Sequence, residues 1–263
     1  MDYKNLSMAV TRQVAWITIE RPAAFNALDL DTMGEFLDAA ERCATDRGVR
    51  AVVITGSGEK AFCAGGDVAG FVRNADDIER LLMAMTTRLH TALSRLAWMD
   101  APVVGMINGV AAGAGLSLAA ACDLAIAAEH ARFTSAYTQI GMTPDGSSTY
   151  YLPRLIGNRR AIELYLTNRT LTAAEALDWG LVNRVVPGAT LRAEVEALAE
   201  KLAQGPSRAY GGVKKLLMLS ANDSLESQME RETRSICEMS RTADGREGTR
   251  AFVEKRKPNF TGG

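Results

Sequence analysis

Two short stretches rich in glycine and alanine constrain the fold of this chain more than any other feature. The first glycine loop is Ala61-Phe62-Cys63-Ala64-Gly65-Gly66-Asp67, and the second is Asn108-Gly109-Val110-Ala111-Ala112-Gly113-Ala114-Gly115. Each follows an apolar run typical of a buried strand, Val52–Ile54 and Val103–Ile107 respectively. The second loop also opens a helix-like stretch, Leu116–Ala121, whose first turn presents N–H groups without partners. Two such loops can direct two peptide N–H donors at one ligand oxygen, which is the arrangement of an oxyanion hole.

Other interpretations of these loops stay open at the level of single motifs. Glycines after strands serve in many proteins only as turns. The second loop is similar to a dinucleotide-binding fingerprint, but Gly113-Ala114-Gly115-Leu116-Ser117-Leu118 lacks the third glycine. The stretch Gly56-Ser57-Gly58-Glu59-Lys60 lacks the Gly-Lys-Ser/Thr ending of a phosphate-binding loop. The pair of loops therefore favours carbonyl chemistry, with a purely structural turn as the alternative.

The composition is that of an ordinary globular protein. The 263 residues, 47% hydrophobic and 23% charged, suffice for a large domain with a substantial core. A formal net charge of −1 gives no reason to expect nucleic acid or an anionic membrane as the main partner. No signal peptide is apparent, and the longest apolar stretch, Val110–Cys122, is too short to span a bilayer. The scattered cysteines indicate free thiols and no residue cluster suggests a metal, so we expect a soluble cytoplasmic protein.

Strand and helix patterns alternate up to residue 205 and become wholly helical after it. This alternation predicts an α/β core over residues 1–205, and the region 206–263 is predicted to be helical. A capping box at Thr172–Glu175 starts a short helix that Gly180 ends. The predicted strands are Val14–Ile19, Ala51–Thr55, Val103–Ile107, Asp123–Ala128 and Leu181–Val186; the predicted longer helices are Asp31–Ala44, Asp77–Trp98, Ser207–Leu219, Ser224–Arg241 and Asp244–Lys255.

Several motifs in a fixed order resemble those of a known family. They are Arg21-Pro22-Ala23-Ala24-Phe25-Asn26-Ala27-Leu28, the two glycine loops, Cys122-Asp123-Leu124-Ala125, Asp178-Trp179-Gly180-Leu181-Val182 and the ending Glu247–Arg256. Together they resemble the enoyl-CoA hydratase/isomerase (crotonase) superfamily over essentially the whole chain. The resemblance implies a spiral of strand-strand-helix turns whose C-terminal helices build a homotrimer or a dimer of trimers. It also implies an acyl-CoA substrate; coenzyme A is then part of the substrate, so no separate cofactor is expected.

The same resemblance assigns roles to individual residues. The two oxyanion donors would be the backbone N–H groups of Gly66 and Ala114, and alanine is tolerable at the second position provided that its φ suits an L-residue. Phe252 and Lys255 match positions near the nucleotide end of the substrate, often supplied by a neighbouring subunit, although a solvated charge also explains Lys255. The residues that the resemblance places against the substrate are Ala24, Ala27, Leu28, Ala64, Asp67, Val68, Ala69, Tyr137, Phe252 and Lys255.

The acid–base residues distinguish between reactions within the family. Hydratases of the family carry two glutamates, and this chain has Ser117 and Tyr137 at those positions. Adding water requires both a base and an acid, so a serine and a tyrosine are poor substitutes. Asp145, in a Pro-Asp-Gly stretch that could be a simple turn, matches the catalytic aspartate of ring-epoxide isomerases, of some enoyl-CoA isomerases and of 4-chlorobenzoyl-CoA dehalogenase. His90 matches a histidine that supports hydrolysis in that dehalogenase, although a packing or capping role on its helix is the stronger expectation.

Three functional hypotheses follow. The leading one is an isomerase of an unsaturated or epoxidised acyl-CoA that holds a thioenolate at Gly66 and Ala114 and moves a proton with Asp145. The second is an enoyl-CoA hydratase, or an aryl-CoA dehalogenase or hydrolase, that uses the same aspartate. The third is a homologue that binds acyl-CoA without turnover.

Overall fold

The computed structural model of the protein describes residues 3–263. The strands within that range are β1 (Leu6–Thr11), β2 (Val14–Ile19), β3 (Ala51–Gly56), β4 (Ala61–Cys63), β5 (Val103–Ile107), β6 (Val110–Ala112), β7 (Leu124–Ala128), β8 (Arg132–Thr134), β9 (Leu171–Thr172) and β10 (Arg184–Val186). The α-helices are α1 (Leu30–Thr45), α2 (Val68–Arg73), α3 (Ile78–Trp98), α4 (Ala114–Ala121), α5 (Ser148–Ile156), α6 (Asn158–Thr167), α7 (Ala173–Asp178), α8 (Gly188–Ala203), α9 (Ser207–Ser220), α10 (Leu225–Ser240) and α11 (Ala243–Val253).

The strands form two sheets that the chain visits in turn. One sheet has the order β1-β2-β3-β5-β7-β10 and is parallel from β2 onward, while β1 pairs with β2 antiparallel. The other has the order β4-β6-β8-β9, with β4, β6 and β8 parallel. Because β3 leads to β4, β5 to β6 and β7 to β8, each turn of the chain adds one strand to each sheet before the next helix. This is the spiral of strand-strand-helix turns that the resemblance implied, and it confirms the predicted α/β fold class.

The larger sheet is buried on both faces, which explains why its central strands are continuous apolar runs. Successive side chains of a strand point to opposite faces. Val52 and Ile54 of β3 therefore pack in the main core, whereas Val53 packs in a second apolar cluster with Val195 of α8. Every residue of β3 and of β5 is buried.

The elements with a strong sequence signal lie where they were predicted. β2 and β5 match their predicted bounds, α1 is longer than predicted by one residue at each end, and α3 begins one residue later than predicted. Thr172 and Glu175 form the predicted capping box, and Gly180 has a φ of +81° just beyond the end of α7. The prediction of a strand over Leu181–Val186 was wrong for its first half: the N–H groups of Leu181 and Val182 donate to the carbonyl of Ala176 in a turn, so β10 begins at Arg184.

Two cationic side chains attach the C-terminal region to the rest of the molecule. The Nζ of Lys214 on α9 lies 2.8 Å from a carboxylate oxygen of Asp123, and it also donates to the carbonyls of Leu96 and Ala101. Arg50 is 5% exposed and donates to Oγ of Ser207 and to the carbonyl of Phe260, each at 3.2 Å. Within residues 3–263, no helix has the length and apolar character needed to cross a membrane. The cysteines are all free thiols, as predicted.

Candidate active site

A cavity of about 620 Å³ lies between the two glycine loops, the segment 136–145 and helices α1 to α3. Its polar edge includes Gly66, Ala114, Tyr137 and Asp145. Asp145 is the one ionisable carboxylic acid among the described residues that line it. An apolar wall is formed by Met33, Phe71, Leu82, Met85 and Met142.

The first glycine loop is held by a short bridge to the segment around Leu28. The N–H of Leu28 donates to the carbonyl of Gly65 at 2.7 Å, and the N–H of Asp67 donates to the carbonyl of Leu28 at 2.9 Å. This parallel pairing uses the groups on either side of Gly66 and leaves the N–H of Gly66 itself outside the bridge. Gly66 is one of the residues that line the cavity.

The second glycine loop brings the start of α4 against the first loop. Ala114 is the first residue of α4, so no preceding turn accepts its N–H. A Cβ on Gly65 would lie only 3.3 Å from the backbone nitrogen of Ala114 and 2.9 Å from the carbonyl oxygen of Ala112. Gly65 also has a φ of +98°, which favours glycine. Ala114 has a helical φ, so the condition for alanine in place of glycine is met, and the two N–H groups belong to touching loops.

Ion pairs support the first loop from outside the cavity. Arg21 lies 3.0 Å from both Asp67 and Asp29, and the carboxylate of Asp67 also accepts from the N–H of Gly70 at the start of α2. Burial opposes the charge of Asp67, but the hydrogen bonds from Arg21 and Gly70 and the charge of Arg73 outweigh it and hold its pKa below the ordinary value. The side chain of Asp67 thus fixes the loop rather than facing the cavity.

Asp145, Tyr137 and Ser117 lie in one hydrogen-bonded group. The hydroxyl of Tyr137 donates to Oδ1 of Asp145 at 2.6 Å, and it lies 2.9 Å from Oγ of Ser117. Burial, the charge of Asp145 and this hydrogen bond raise the pKa of Tyr137 well above its ordinary value, with a smaller opposing effect of Ser117. Tyr137 is therefore a neutral hydrogen-bond donor, and one carboxylate oxygen of Asp145 is occupied by it.

Two other chemically reactive side chains near the loops do not face the cavity. Cys63 is fully buried, and burial raises the pKa of its thiol to about 12, so it is not a thiolate at neutral pH. His90 is an exposed residue of α3 whose Nε2 accepts a hydrogen bond from the N–H of Gly146 at 3.1 Å. The prediction that His90 caps another group thus describes its observed contact.

The structure brings together some of the residues that the sequence pointed to and separates others. Ser117 is fully buried behind the cavity wall, and Phe252 is 85% exposed near the end of α11. The predicted residues that line the cavity are Ala64, Gly66, Val68, Ala114, Tyr137 and Asp145; those that do not are Ala24, Ala27, Leu28, Asp67, Ala69, His90, Ser117, Phe252 and Lys255.

The apolar wall contains residues that the sequence presented only as helix core. Leu82 and Met85 belong to the apolar stripe of α3, and their spacing of three gave no sign that they face a cavity. Arg21 was also missed as the residue that holds Asp67. Arg21 lies beside a proline in a motif that matched the family as a whole, and nothing in that motif indicated that its side chain binds Asp67.

Comparison with known proteins identifies the family. The family model for "Enoyl-CoA hydratase/isomerase" matches residues 10–263. The chain belongs to the enoyl-CoA hydratase/isomerase family. Members of this family are acyl-CoA enzymes, and this placement agrees with the two glycine loops and with the spiral fold.

Relatives of this chain have names that cover three different reactions. It is 38% identical over 233 residues to 4-chlorobenzoyl coenzyme A dehalogenase-2 of Arthrobacter sp, covering 88% of this chain and 84% of that protein. It is 34% identical over 256 residues to 1,2-epoxyphenylacetyl-CoA isomerase of Escherichia coli, covering 96% and 97% of the two chains. The crystal structure of an enoyl-CoA hydratase from Bacillus anthracis superposes with a TM-score of 0.92 at 33% identity, covering 99% of this chain and all of that one. Family membership alone therefore does not select one reaction.

Proposed function

We propose that this protein is an isomerase of acyl-CoA thioesters that shifts a proton with a single aspartate, Asp145. The observation that carries the proposal is the composition of the cavity. Asp145 is its one carboxylic acid, within residues 3–263; Tyr137, which lines it, and Ser117, which is buried behind it, are neutral hydroxyls. A 1,3-proton shift needs one group that removes a proton and returns it, whereas hydration also needs a second acid–base group.

The proposed reaction uses the two backbone donors and one oxygen of Asp145. The thioester oxygen accepts hydrogen bonds from the N–H groups of Gly66 and Ala114. Oδ1 of Asp145 is occupied by Tyr137, so Oδ2 takes the proton from the α-carbon of a 3-enoyl thioester. The electron pair of that C–H bond moves into a thioenolate, whose charge the two N–H groups stabilise. The same oxygen then returns the proton to the γ-carbon, and the double bond becomes conjugated with the thioester.

The substitution Asp145→Asn tests the proposal directly. We expect loss of turnover by roughly 10²–10⁴-fold, the contribution typical of a general acid–base group, with affinity for the CoA thioester changed only a few-fold. The affinity persists because the carboxylate acts in the transition state. Asp76→Asn, the same change at an exposed acid, is the matched control and leaves turnover unchanged. Wild-type turnover by the Asp145 variant on the best substrate contradicts the proposal.

Three thioesters, a 3-enoyl-CoA, crotonyl-CoA and 4-chlorobenzoyl-CoA, separate isomerase from hydratase and dehalogenase. A 3-enoyl-CoA should be converted to the 2-enoyl isomer, and hydration of crotonyl-CoA should be at least ~100-fold slower. Fast hydration of crotonyl-CoA contradicts the argument that Ser117 and Tyr137 are poor substitutes for the two glutamates of a hydratase. Binding of all the thioesters without turnover of any supports a non-catalytic acyl-CoA-binding role instead.

Dehalogenation is the second candidate, because the matching dehalogenase is 38% identical to this chain. In that reaction Oδ2 of Asp145 attacks the ring carbon of 4-chlorobenzoyl-CoA, chloride leaves, and water then cleaves the resulting ester. Chloride release together with an aryl adduct on Asp145 favours this candidate over the isomerase.

A further inference from the structure

The peptide unit that joins Asp145 to Gly146 is hydrogen-bonded at both of its ends. Its carbonyl oxygen, which belongs to Asp145, accepts from Oγ of Ser148 at 3.0 Å and lies 3.0 Å from Oγ of Ser117, whose single proton it shares with the hydroxyl of Tyr137. Its N–H, which belongs to Gly146, donates to Nε2 of His90 at 3.1 Å. Three side chains from three different helices, α4, α5 and α3, therefore hold one peptide unit.

The turn at Gly146 is fixed by packing as well as by these bonds. Gly146 has a φ of +60°, and a Cβ at this position would lie 2.7 Å from Cβ of Ser117. The turn therefore lies directly on α4, the helix whose first N–H is the proposed oxyanion donor. A displacement of this peptide would change the distance between the carboxylate of Asp145 and the oxyanion hole.

We infer that His90 is a positioning residue: it accepts a hydrogen bond from the N–H of Gly146 and so fixes the orientation of the Asp145 carboxylate. The bond requires an unprotonated Nε2, so the neutral ring carries its proton on Nδ1. His90 is exposed and does not line the cavity, and the nitrogen that faces the turn is already engaged by the backbone. It therefore acts through Gly146 and not on the substrate. Ser117 and Ser148 act in the same way on the carbonyl side.

This inference rests on the proposed role of Asp145, and variants of His90 test it. His90→Phe keeps a planar ring and removes the acceptor, whereas His90→Gln keeps an acceptor oxygen near the same place. With a 3-enoyl-CoA, we expect His90→Phe to lose roughly 10²-fold in kcat, as a displacement of about 1 Å can produce, with KM unchanged. His90→Gln should recover most of the wild-type kcat. Ser94→Ala, an exposed position one turn further along α3, is the control and keeps the wild-type kcat.

Hydrogen exchange of the Gly146 amide gives a readout that does not depend on activity. We expect a protected amide in the wild type and in His90→Gln, and faster exchange in His90→Phe. If His90→Gln is as inactive as His90→Phe, the imidazole does chemistry that an amide cannot do, and the positioning role is overturned. If His90→Phe keeps the wild-type kcat while Asp145→Asn is inactive, the positioning role fails and the proposed function stands. If Asp145→Asn is active, the proposed function fails first, and the inference that depends on it fails with it.

Discussion

The hydrogen bond from Tyr137 to Asp145 is short, at 2.6 Å, and joins a neutral phenol to a carboxylate. Bonds to charged groups contribute about 1.5–3 kcal/mol. We expect Tyr137→Phe to lower kcat by about 10- to 100-fold, at 1.4 kcal/mol for each factor of ten, with little change in KM. Tyr150→Phe is a matched control, because its hydroxyl donates to the carbonyl of Met218 outside the cavity. An unchanged kcat in the Tyr137 variant shows that this bond does not support the reaction.

The pKa of Tyr137 also predicts how activity depends on pH. Because its pKa is raised in the folded protein, the phenol keeps its proton throughout neutral and mildly alkaline conditions. The hydrogen bond that the Tyr137 hydroxyl donates to Asp145 is fully present below the ordinary tyrosine pKa of about 10. It is lost only as the pH rises through the higher pKa that Tyr137 has in the folded protein. The pH profile of kcat should therefore have the same shape in the wild type and in Tyr137→Phe between pH 7 and about 9. An alkaline loss of activity that disappears in the variant contradicts this assignment.

The residues of the site could be predicted individually but not as a group. Ser117, Tyr137 and Asp145 each matched a family position, yet nothing in the sequence indicated that their side chains bond to one another. Contacts such as that of His90 with Gly146 join residues 56 positions apart. They depend on how α3 packs beside the turn, which no local pattern specifies.

The contact between α4 and β4 depends on a glycine with almost no space around it. A Cβ on Gly115 would lie 1.9 Å from the carbonyl oxygen of Cys63, so an alanine would push α4 away from the first glycine loop. Overpacking of a core typically costs 1–3 kcal/mol, so we expect Gly115→Ala to lower the free energy of unfolding by at least ~2 kcal/mol and to lower kcat. Gly34→Ala in α1 is the matched control. A Cβ there meets only the Arg88 side chain, at 3.8 Å, so helix propensity should make this variant slightly more stable. Denaturant unfolding of both variants measures the difference.

Helix α11 is tied to the following segment by Glu247 and Arg256. Both carboxylate oxygens of Glu247 accept from Arg256, and one accepts from the N–H of Asn259 at 2.9 Å. These bonds lower the pKa of Glu247 to about 2. The stabilisation of the folded protein by these bonds is complete above the ordinary glutamate pKa of about 4.3. It is lost as the pH falls from there through the folded pKa of about 2. In Arg256→Ala, the carboxyl titration of Glu247, followed by NMR, should move up toward the ordinary value. A midpoint that stays near 2 means that Arg256 is not the cause.

Elements with a strong period were predictable, and short elements were not. The long helices α1 and α3 have an apolar stripe and a clear start, so their bounds followed from the sequence. β4, β6, β8 and β9 have two or three residues each, and β1 pairs only through an antiparallel hairpin with β2. Two or three residues are too few to show the alternating pattern of a strand. Whether these segments form strands therefore depends on the strands that they pair with. The second sheet could therefore be expected from the family resemblance alone.

The C-terminal helices expose several large apolar side chains. The most exposed large apolar side chains of this region are Leu217, Leu225, Ile236, Phe252 and Val253, each between 69% and 85% exposed. Contiguous apolar patches larger than a few hundred Å² mark interaction sites. No residue of α10 is fully buried within the described range, and Gln228, Ser235 and Met239 alone are half-buried, so most of this helix is exposed. We propose that further copies of this chain cover the region 206–263.

Light scattering of the intact protein tests this assembly. We expect a mass of three or six times the 28.3 kDa of one chain. Leu217→Glu combined with Leu225→Glu should give a monomer, because a charge buried in an apolar interface without a partner is strongly unfavourable. Val10→Glu on β1, at a 49% exposed position outside the C-terminal region, is the control and keeps the oligomer. If Phe252 and Lys255 serve the site of a neighbouring subunit, the monomer should also bind CoA thioesters more weakly while its own cavity stays folded. A wild-type monomer at micromolar concentration contradicts the assembly, and full affinity in the monomeric variant contradicts the shared site.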